Sequence, residues 1–335
     1  VINRVTANAM EPRGCVGFFD PDDGRYTIRC TIQSAHGTRA ALAQRILKVP
    51  ENQVRVLCDN MGGGFGMKGG CYPEYGLVLW ASEVVGRPVR WQAERSEGLL
   101  SDEQSRGSHV DAELALDGDA RFLALRARFA SSIGAYFTSD RPTIPLTVAL
   151  GCLVNTYRIP AIHAEVRAVF TNTMAIAPYR GGGRPEPLFV TETMVDHASR
   201  ALRLDPADLR RRNTIPASAM PYTTPMRQVY DSGDFVKNLD DALRLAETGA
   251  LEARRVAARR RGKLLGRGVA TAVAATGGRD FEHAEIRFDP SGGVTLITGS
   301  MDHGQGHGTT YKQILSEKLR IEPERIQYRY GDSDL

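Results

Sequence analysis

Residues 24–33, "GRYTIRCTIQ", alternate between apolar and polar positions with a period of two and predict a strand. The spacing then turns helical over "GTRAALAQRILKVP" (37–50), which stops at a proline. "NQVRVLCDN" returns to strand character, and a glycine cluster follows it. "YPEYGLVLWASEVVG" predicts a helix with Pro73 near its start and Gly86 just past its end. "RPVRWQAER" predicts another strand, and residues 109–136 a hairpin turning at "DGDA". Two helices follow, "LFVTETMVDHASRALR" (188–203) and "DPADLRRRN", the second with Asp205 as N-cap. "HAEIRFDPSGGVTLITGS" predicts a further hairpin with "DPSGG" as its turn.

Two stretches share one layout. Residues 28–57 run strand, "QSAHGT", helix, "VPENQ", strand, and residues 295–330 run strand, "GQGHGT", helix, "IEPERIQ", strand. In each, a glutamine (Gln33, Gln305) precedes His-Gly-Thr and a Pro-Glu pair follows the helix. Duplicated structure and chance similarity are both open from sequence alone.

The 335 residues are 42% hydrophobic and 24% charged, ordinary for a globular protein and long enough for two domains. A formal charge of +4, from 43 basic against 39 acidic residues, is no footprint for nucleic acid. The basic run "ARRVAARRRGKLL" reads as a solvated helix or linker, and the domain boundary is placed at 230–250. No apolar run reaches the ~18 residues of a membrane span. Cys15, Cys30, Cys58, Cys71 and Cys152 are scattered without a CxxC pair, so an iron–sulfur or zinc site on this chain is not expected. Free thiols suit a reducing compartment, hence a cytoplasmic protein. Val1 at the start and "GDSDL" directly after a strand suggest that both ends are cut from something longer.

Three transitions are rich in glycine: "GGGFGMKGG" (62–70), "PYRGGGRPEP" (178–187) and "GQGHGT" (304–309). Such loops let a ligand approach the backbone and present unpaired N–H donors. Three of them suggest one extended, phosphate-bearing, multi-ring ligand. "GFGMKG" (64–69) also satisfies G-x-G-x-x-G, so a nicotinamide dehydrogenase is an alternative, but that reading leaves the other two loops unused. Lys68 is followed by Gly69 rather than Ser or Thr, which excludes a Walker A loop. No Gly-x-Ser-x-Gly elbow and no H-E-x-x-H is present, and His303 and His307, separated by a glycine turn, make a poor zinc pair.

Taken in order, "MEPRG" (10–14), "TIQSAHGTR" (31–39), "NMGGGFGMKGG" (60–70), "PYRGGGRPE" (178–186) and "MDHGQGHGTT" (301–310) resemble the molybdenum-binding large subunit of the xanthine dehydrogenase, aldehyde oxidase and carbon monoxide dehydrogenase family. The resemblance implies an α+β fold of two mixed α/β domains, 1–235 and 236–335, with a molybdopterin cofactor, in its cytosine dinucleotide form, at their interface. It implies catalytic roles for Gln33, Phe65 and Arg180, Gln33 standing where the family's glutamine faces the metal. Gly63, Gly64, Phe65 and Gly66 would flank the metal, Arg180 and Gly181 would form the second wall, and Gly304, Gln305, Gly306, His307 and Thr309 would clasp the pterin and its phosphates. Molybdenum would be held through the pterin dithiolene, with no protein ligand. [2Fe–2S] and FAD would sit on partner chains, an iron–sulfur subunit and an FAD subunit.

The departures matter as much. The family's catalytic glutamate lies in a C-terminal Gly-x-Gly-Glu segment absent from this sequence, so a separate chain would supply it or the product is a non-catalytic cofactor-binding fragment or assembly partner. Gly181 and Gly182 replace the Cys and Ser that carry copper in carbon monoxide dehydrogenases, arguing against CO oxidation. Gly69 replaces the glutamate of purine hydroxylases, arguing against xanthine. The expected activity is hydroxylation of a small-molecule aldehyde or N-heterocyclic carbon with water-derived oxygen.

Overall fold

The computed structural model describes residues 1–138, 141–147, 150–274 and 282–335. Strand β1 (Ile2–Thr6) leads into β2 (Gly14–Asp20) and β3 (Arg25–Cys30), whose buried positions alternate as the sequence pattern requires. Helix α1 (Ala35–Ala41) starts two residues before the expected span, with Ser34 as N-cap, and continues as a π-helical turn over Leu42–Leu47. A left-handed Lys48 and then Pro50 end it, and β4 (Val54–Leu57) follows. Helix α2 (Pro73–Val85) has Pro73 at its first turn and Gly86 in the left-handed cap, as predicted.

β5 (Val89–Gln92) completes a mixed sheet of order β4-β3-β2-β5, with β3 and β4 parallel. Helix α2 lies directly on β2, where a Cβ on Gly17 would meet the Val78 backbone at 2.9 Å. Only a bare backbone permits that approach. "GFGMKG" does not open α2, because the chain first makes a 3₁₀ turn at Met67–Gly69 and the helix begins only at Pro73. The dinucleotide-fold alternative therefore fails, its glycines being used in contacts with other loops.

After α3 (Arg95–Ser101), β6 (Gln104–Leu116) and β7 (Phe122–Gly134) form the hairpin, longer at its start than the pattern suggested. Asp117 closes its turn by accepting from the N–H groups of Asp119 and Arg121. A short α4 (Ile144–Thr147) precedes β8 (Ala161–Phe170), which pairs parallel to β7 and completes the sheet β1-β6-β7-β8. Against it pack α5 (Pro185–Leu202) and α6 (Pro206–Asn213), sharing a core that includes Phe122, Leu125, Tyr157, Val195 and Leu209. Asp205 caps α6 by accepting from Ala207 and Asp208 N–H.

A two-residue ladder of β9 (Tyr222–Thr223) and β10 (Val229–Tyr230) leads to α7 (Phe235–Leu245) and the basic helix α8 (Leu251–Arg260). The last sheet, β11-β12-β13, consists of β11 (Ala284–Phe288), β12 (Val294–Thr298) and β13 (Ile326–Arg329), with α9 (His307–Leu319) crossing between the last two.

The sequence repeat is structural. β3–α1–β4 and β12–α9–β13 are both strand–helix–strand units with parallel strands, a left-handed residue closing the helix (Lys48, Arg320) and a 3₁₀ turn before the second strand. The cysteines are less scattered than they look. Cys15 pairs with Cys30 across β2 and β3, and Cys58 and Cys71 join the same core, all as free thiols. Burial pushes the Cys15 thiol up to about 12 and the Cys71 thiol up to about 11. Among the described residues no helix is long and apolar enough to cross a membrane.

Candidate functional site

β3 ends at Cys30, and three residues later Gln33 enters the glycine loop that follows β4. The loop pins it at two points. Gln33 N–H donates to Lys68 O at 2.9 Å, and Gln33 Oε1 accepts from Gly66 N–H at 2.8 Å. The second bond fixes which end of the amide is oxygen, so the NH₂ end is the donor this side chain can offer to the cleft. A Cβ on Gly64 would fall 2.5 Å from Gln33 Cδ, so the backbone there is bare because the glutamine occupies the space.

The loop is braced from behind. Lys68, fully buried, donates to Glu11 at 2.8 Å, and Glu11 also accepts from Gly62 N–H at 2.9 Å. Burial lowers the Lys68 pKa, and Glu11 opposes that shift. Arg141 donates to Gly66 O and pairs with the buried Glu103.

The second glycine loop lies back-to-back with the first. Arg180 N–H donates to Phe65 O at 2.9 Å, and its guanidinium carbon lies 5.0 Å from the Phe65 ring centre. Gly66 has φ +100°, and a Cβ on it would meet Pro178 O at 2.0 Å. Gly181, Gly182 and Gly183 all have positive φ, a run that side chains would not adopt. Arg106 holds this loop by donating to Arg180 O at 2.9 Å while paired with the buried Glu186 at 3.0 Å.

In the third loop the expected clasp is organised differently. The Asp302 carboxylate accepts from Gly304 N–H at 2.8 Å and Gly306 N–H at 3.3 Å. These donors are therefore already engaged, and the loop offers side chains instead. His303 N–H donates to Gln305 Oε1, and His303 Nε2 and His307 Nδ1 are buried with no hydrogen-bond partner among the described residues. His307 stacks on Tyr311 with ring centres 4.9 Å apart.

Burial alone would raise the Asp302 pKa, but its backbone donors outweigh that and lower it. Its stabilising contribution is thus present above the ordinary value of 3.8 and lost as pH falls through the lower folded value. Asp302→Ala is expected to cost about 1 kcal/mol, as for loss of a cap, and to speed amide exchange at Gly304 and Gly306. Hydrogen-exchange mass spectrometry at neutral pH checks this, and unchanged exchange would refute it.

The three loops meet at one cleft of about 520 Å³. Gln33, Gly64, Phe65, Gly66, Arg180, Gly181, Gly304 and Gln305 line it, so most of the predicted residues converge there. Gly63, Gly306, His307 and Thr309 belong to the same loops but do not form its wall. Pro178, Tyr179, Gly182 and His303 also line it, Gly182 having entered the sequence reading only as a departure and His303 only as half of a poor zinc pair. His303, flanked by Asp302 and Gly304, was the one of these with a chemical signal to follow.

Comparisons with known proteins bear on this geometry. The profile of the molybdopterin cofactor-binding domain matches residues 1–214, and a second profile of the same description matches 242–335. The chain is 35% identical, over 98% of its length, to the carbon monoxide dehydrogenase large chain of Hydrogenophaga pseudoflava, covering 43% of that protein. It is 34% identical, over 100% of its length, to the gamma subunit of the 6-hydroxypseudooxynicotine dehydrogenase complex of Paenarthrobacter nicotinovorans, covering 42% of it. Its structure is similar to quinoline 2-oxidoreductase of Pseudomonas putida 86 with a TM-score of 0.90 and 32% identity, covering 99% of this chain and 44% of that one. The chain thus spans less than half the length of these relatives.

Proposed function

The chain belongs to the molybdopterin cofactor-binding family, and from that premise we propose that it is the cofactor-holding part of a molybdenum hydroxylase acting on an aldehyde or N-heterocyclic carbon. One observation carries the reading: loops from three remote stretches present bare backbone to one cleft, with the Gln33 amide oriented by Gly66 N–H. The residues fit the group. Gly64 and Gly66 line the cleft as bare backbone, a Cβ on either being excluded by Gln33 or by Pro178 O, and His303 Nε2 is a buried polar atom in want of a partner. When bound, the cofactor supplies two-electron oxidation of a carbon centre with oxygen taken from water.

Gly63–Gly66 with Phe65, and Arg180 with Gly181, would hold it by backbone and guanidinium contacts. The loop of Gly304, Gln305, Gly306, His307 and Thr309 would contribute mainly through side chains, because Asp302 takes its N–H donors. The relatives named for 6-hydroxypseudooxynicotine and quinoline support an N-heterocyclic substrate.

The same proposal includes the cytosine dinucleotide form of the cofactor and a cytoplasmic location. It also includes [2Fe–2S] and FAD on partner subunits, a general base supplied from outside this sequence, and a domain division near residue 235. The test is molybdenum per chain by mass spectrometry on protein purified from its native host, with the nucleotide released on acid treatment identified. Near-stoichiometric metal with a cytosine nucleotide is expected. Metal-free protein would overturn the reading.

A further inference from the structure

The segment after β13 has no role in the site as described, yet it is bonded as an added strand along the edge of β4. Cys58 N–H donates to Gly331 O at 2.7 Å and Ser333 N–H to Val56 O at 3.0 Å, while Ser333 Oγ accepts from Val56 N–H at 2.9 Å. Arg55 grips Asp332 through Nε and Nη2 at 3.1 and 2.7 Å, and Arg25 reaches Asp334 at 2.7 Å. Gly331 marks the closest approach: its φ is +70°, and a Cβ on it would fall 1.9 Å from Cys58 O.

Cys58 stands where the loops of the cleft depart. Its thiol bonds to Ile32 O at 3.5 Å, and Ile32 directly precedes Gln33. Cys58 itself leads into the first glycine loop. Met301, buried in the same core, lies 3.5 Å from the position of a Gly331 Cβ and directly precedes the third loop. One node thus ties Gln33, the first loop and the third loop together. Because cores are close-packed, a shift of Gly331 moves Met301 and the loop behind it.

We propose that Gly331–Asp334 is a clasp that sets the width of the cleft, with Asp332 acting through Arg55 as a positioning residue for the third loop. The inference rests on reading the cleft as a cofactor site, and its test separates the two. In the 335-residue chain, Asp332→Asn and Arg55→Met are compared with the charge-swapped pair Arg55→Asp/Asp332→Arg by hydrogen-exchange mass spectrometry and by molybdenum per chain.

Each single variant is expected to speed exchange at 301–309 by about tenfold while the 104–134 hairpin keeps its wild-type rate, and to lower molybdenum content. The swapped pair is expected to recover both. Wild-type exchange at 301–309 in the single variants overturns the clasp, as does an equal rise throughout the chain, which marks general destabilisation. Wild-type protein without molybdenum overturns the functional reading alone, since exchange still decides the clasp.

Discussion

Gly66→Ala is expected to empty the cleft of cofactor while leaving the β6–β7 hairpin and its core folded. Two penalties coincide at this residue. Its φ of +100° is a conformation that an L side chain adopts at a cost of about 1–3 kcal/mol. The added methyl would also sit 2.0 Å from Pro178 O, a backbone atom that cannot rotate away. Overpacking of this kind costs about 1–3 kcal/mol more. The relief available is to separate the first two loops, which breaks Gly66 N–H to Gln33 Oε1 and Arg180 N–H to Phe65 O together. Gly86→Ala is the matched control, since Gly86 has φ +65° but nothing within 4 Å of its Cβ position. It should lose stability through strain alone and keep wild-type molybdenum. Molybdenum per chain and the denaturant midpoint of both variants check this. Equal retention of metal in Gly66→Ala would show that the loop contact is dispensable.

Local signals made much of this architecture legible. Pro73 and Gly86 bounded α2, Asp205 marked α6, and the shared order of motifs around Gln33 and Gln305 foretold two strand–helix–strand units. Glycine clustering and the family resemblance located the three loops. What remained hidden depends on partners far apart in the chain. Glu186 ends the "PYRGGGRPE" stretch with no local sign of its partner, and it is buried against Arg106, 80 residues away. Lys68 looked like part of a motif, and its burial depends on Glu11, 57 residues earlier. Asp302 left no periodic trace, because its partners are backbone N–H groups of the loop that it closes. β8 was missed because its solvent-facing side leaves little alternation to read.

Arg13→Met is expected to destabilise the protein by about 3–5 kcal/mol, the usual effect of breaking a buried ion pair. Arg13 is fully buried, donates to Asp102 at 2.6 Å and to Glu74 at 3.0 and 3.3 Å, and lies 3.7 Å above the Tyr72 ring. Burial alone would lower its pKa, but the two carboxylates outweigh that and raise it. Asp102 is raised by burial against the pull of Arg13, so removing the guanidinium should raise it further.

The sign follows from linkage: a carboxyl raised in the folded state contributes most at low pH, and loses that contribution as pH rises through its folded value. The deficit of Arg13→Met should therefore be larger at pH 7 than at a lower pH approaching the raised folded value of Asp102, and Arg13→Met/Asp102→Asn should recover part of it at pH 7. Denaturant midpoints at both pH values measure this, and a deficit independent of pH would show that lost packing dominates. The damage should also reach the cleft, because Tyr72 OH donates to Met67 O at 3.1 Å and accepts from Glu103 N–H at 3.2 Å. Glu103 in turn holds Arg141, which bonds Gly66 O. A core variant of equal cost placed in the β6–β7 sheet, Leu125→Ala, lacks that connection and should keep its molybdenum where Arg13→Met loses it.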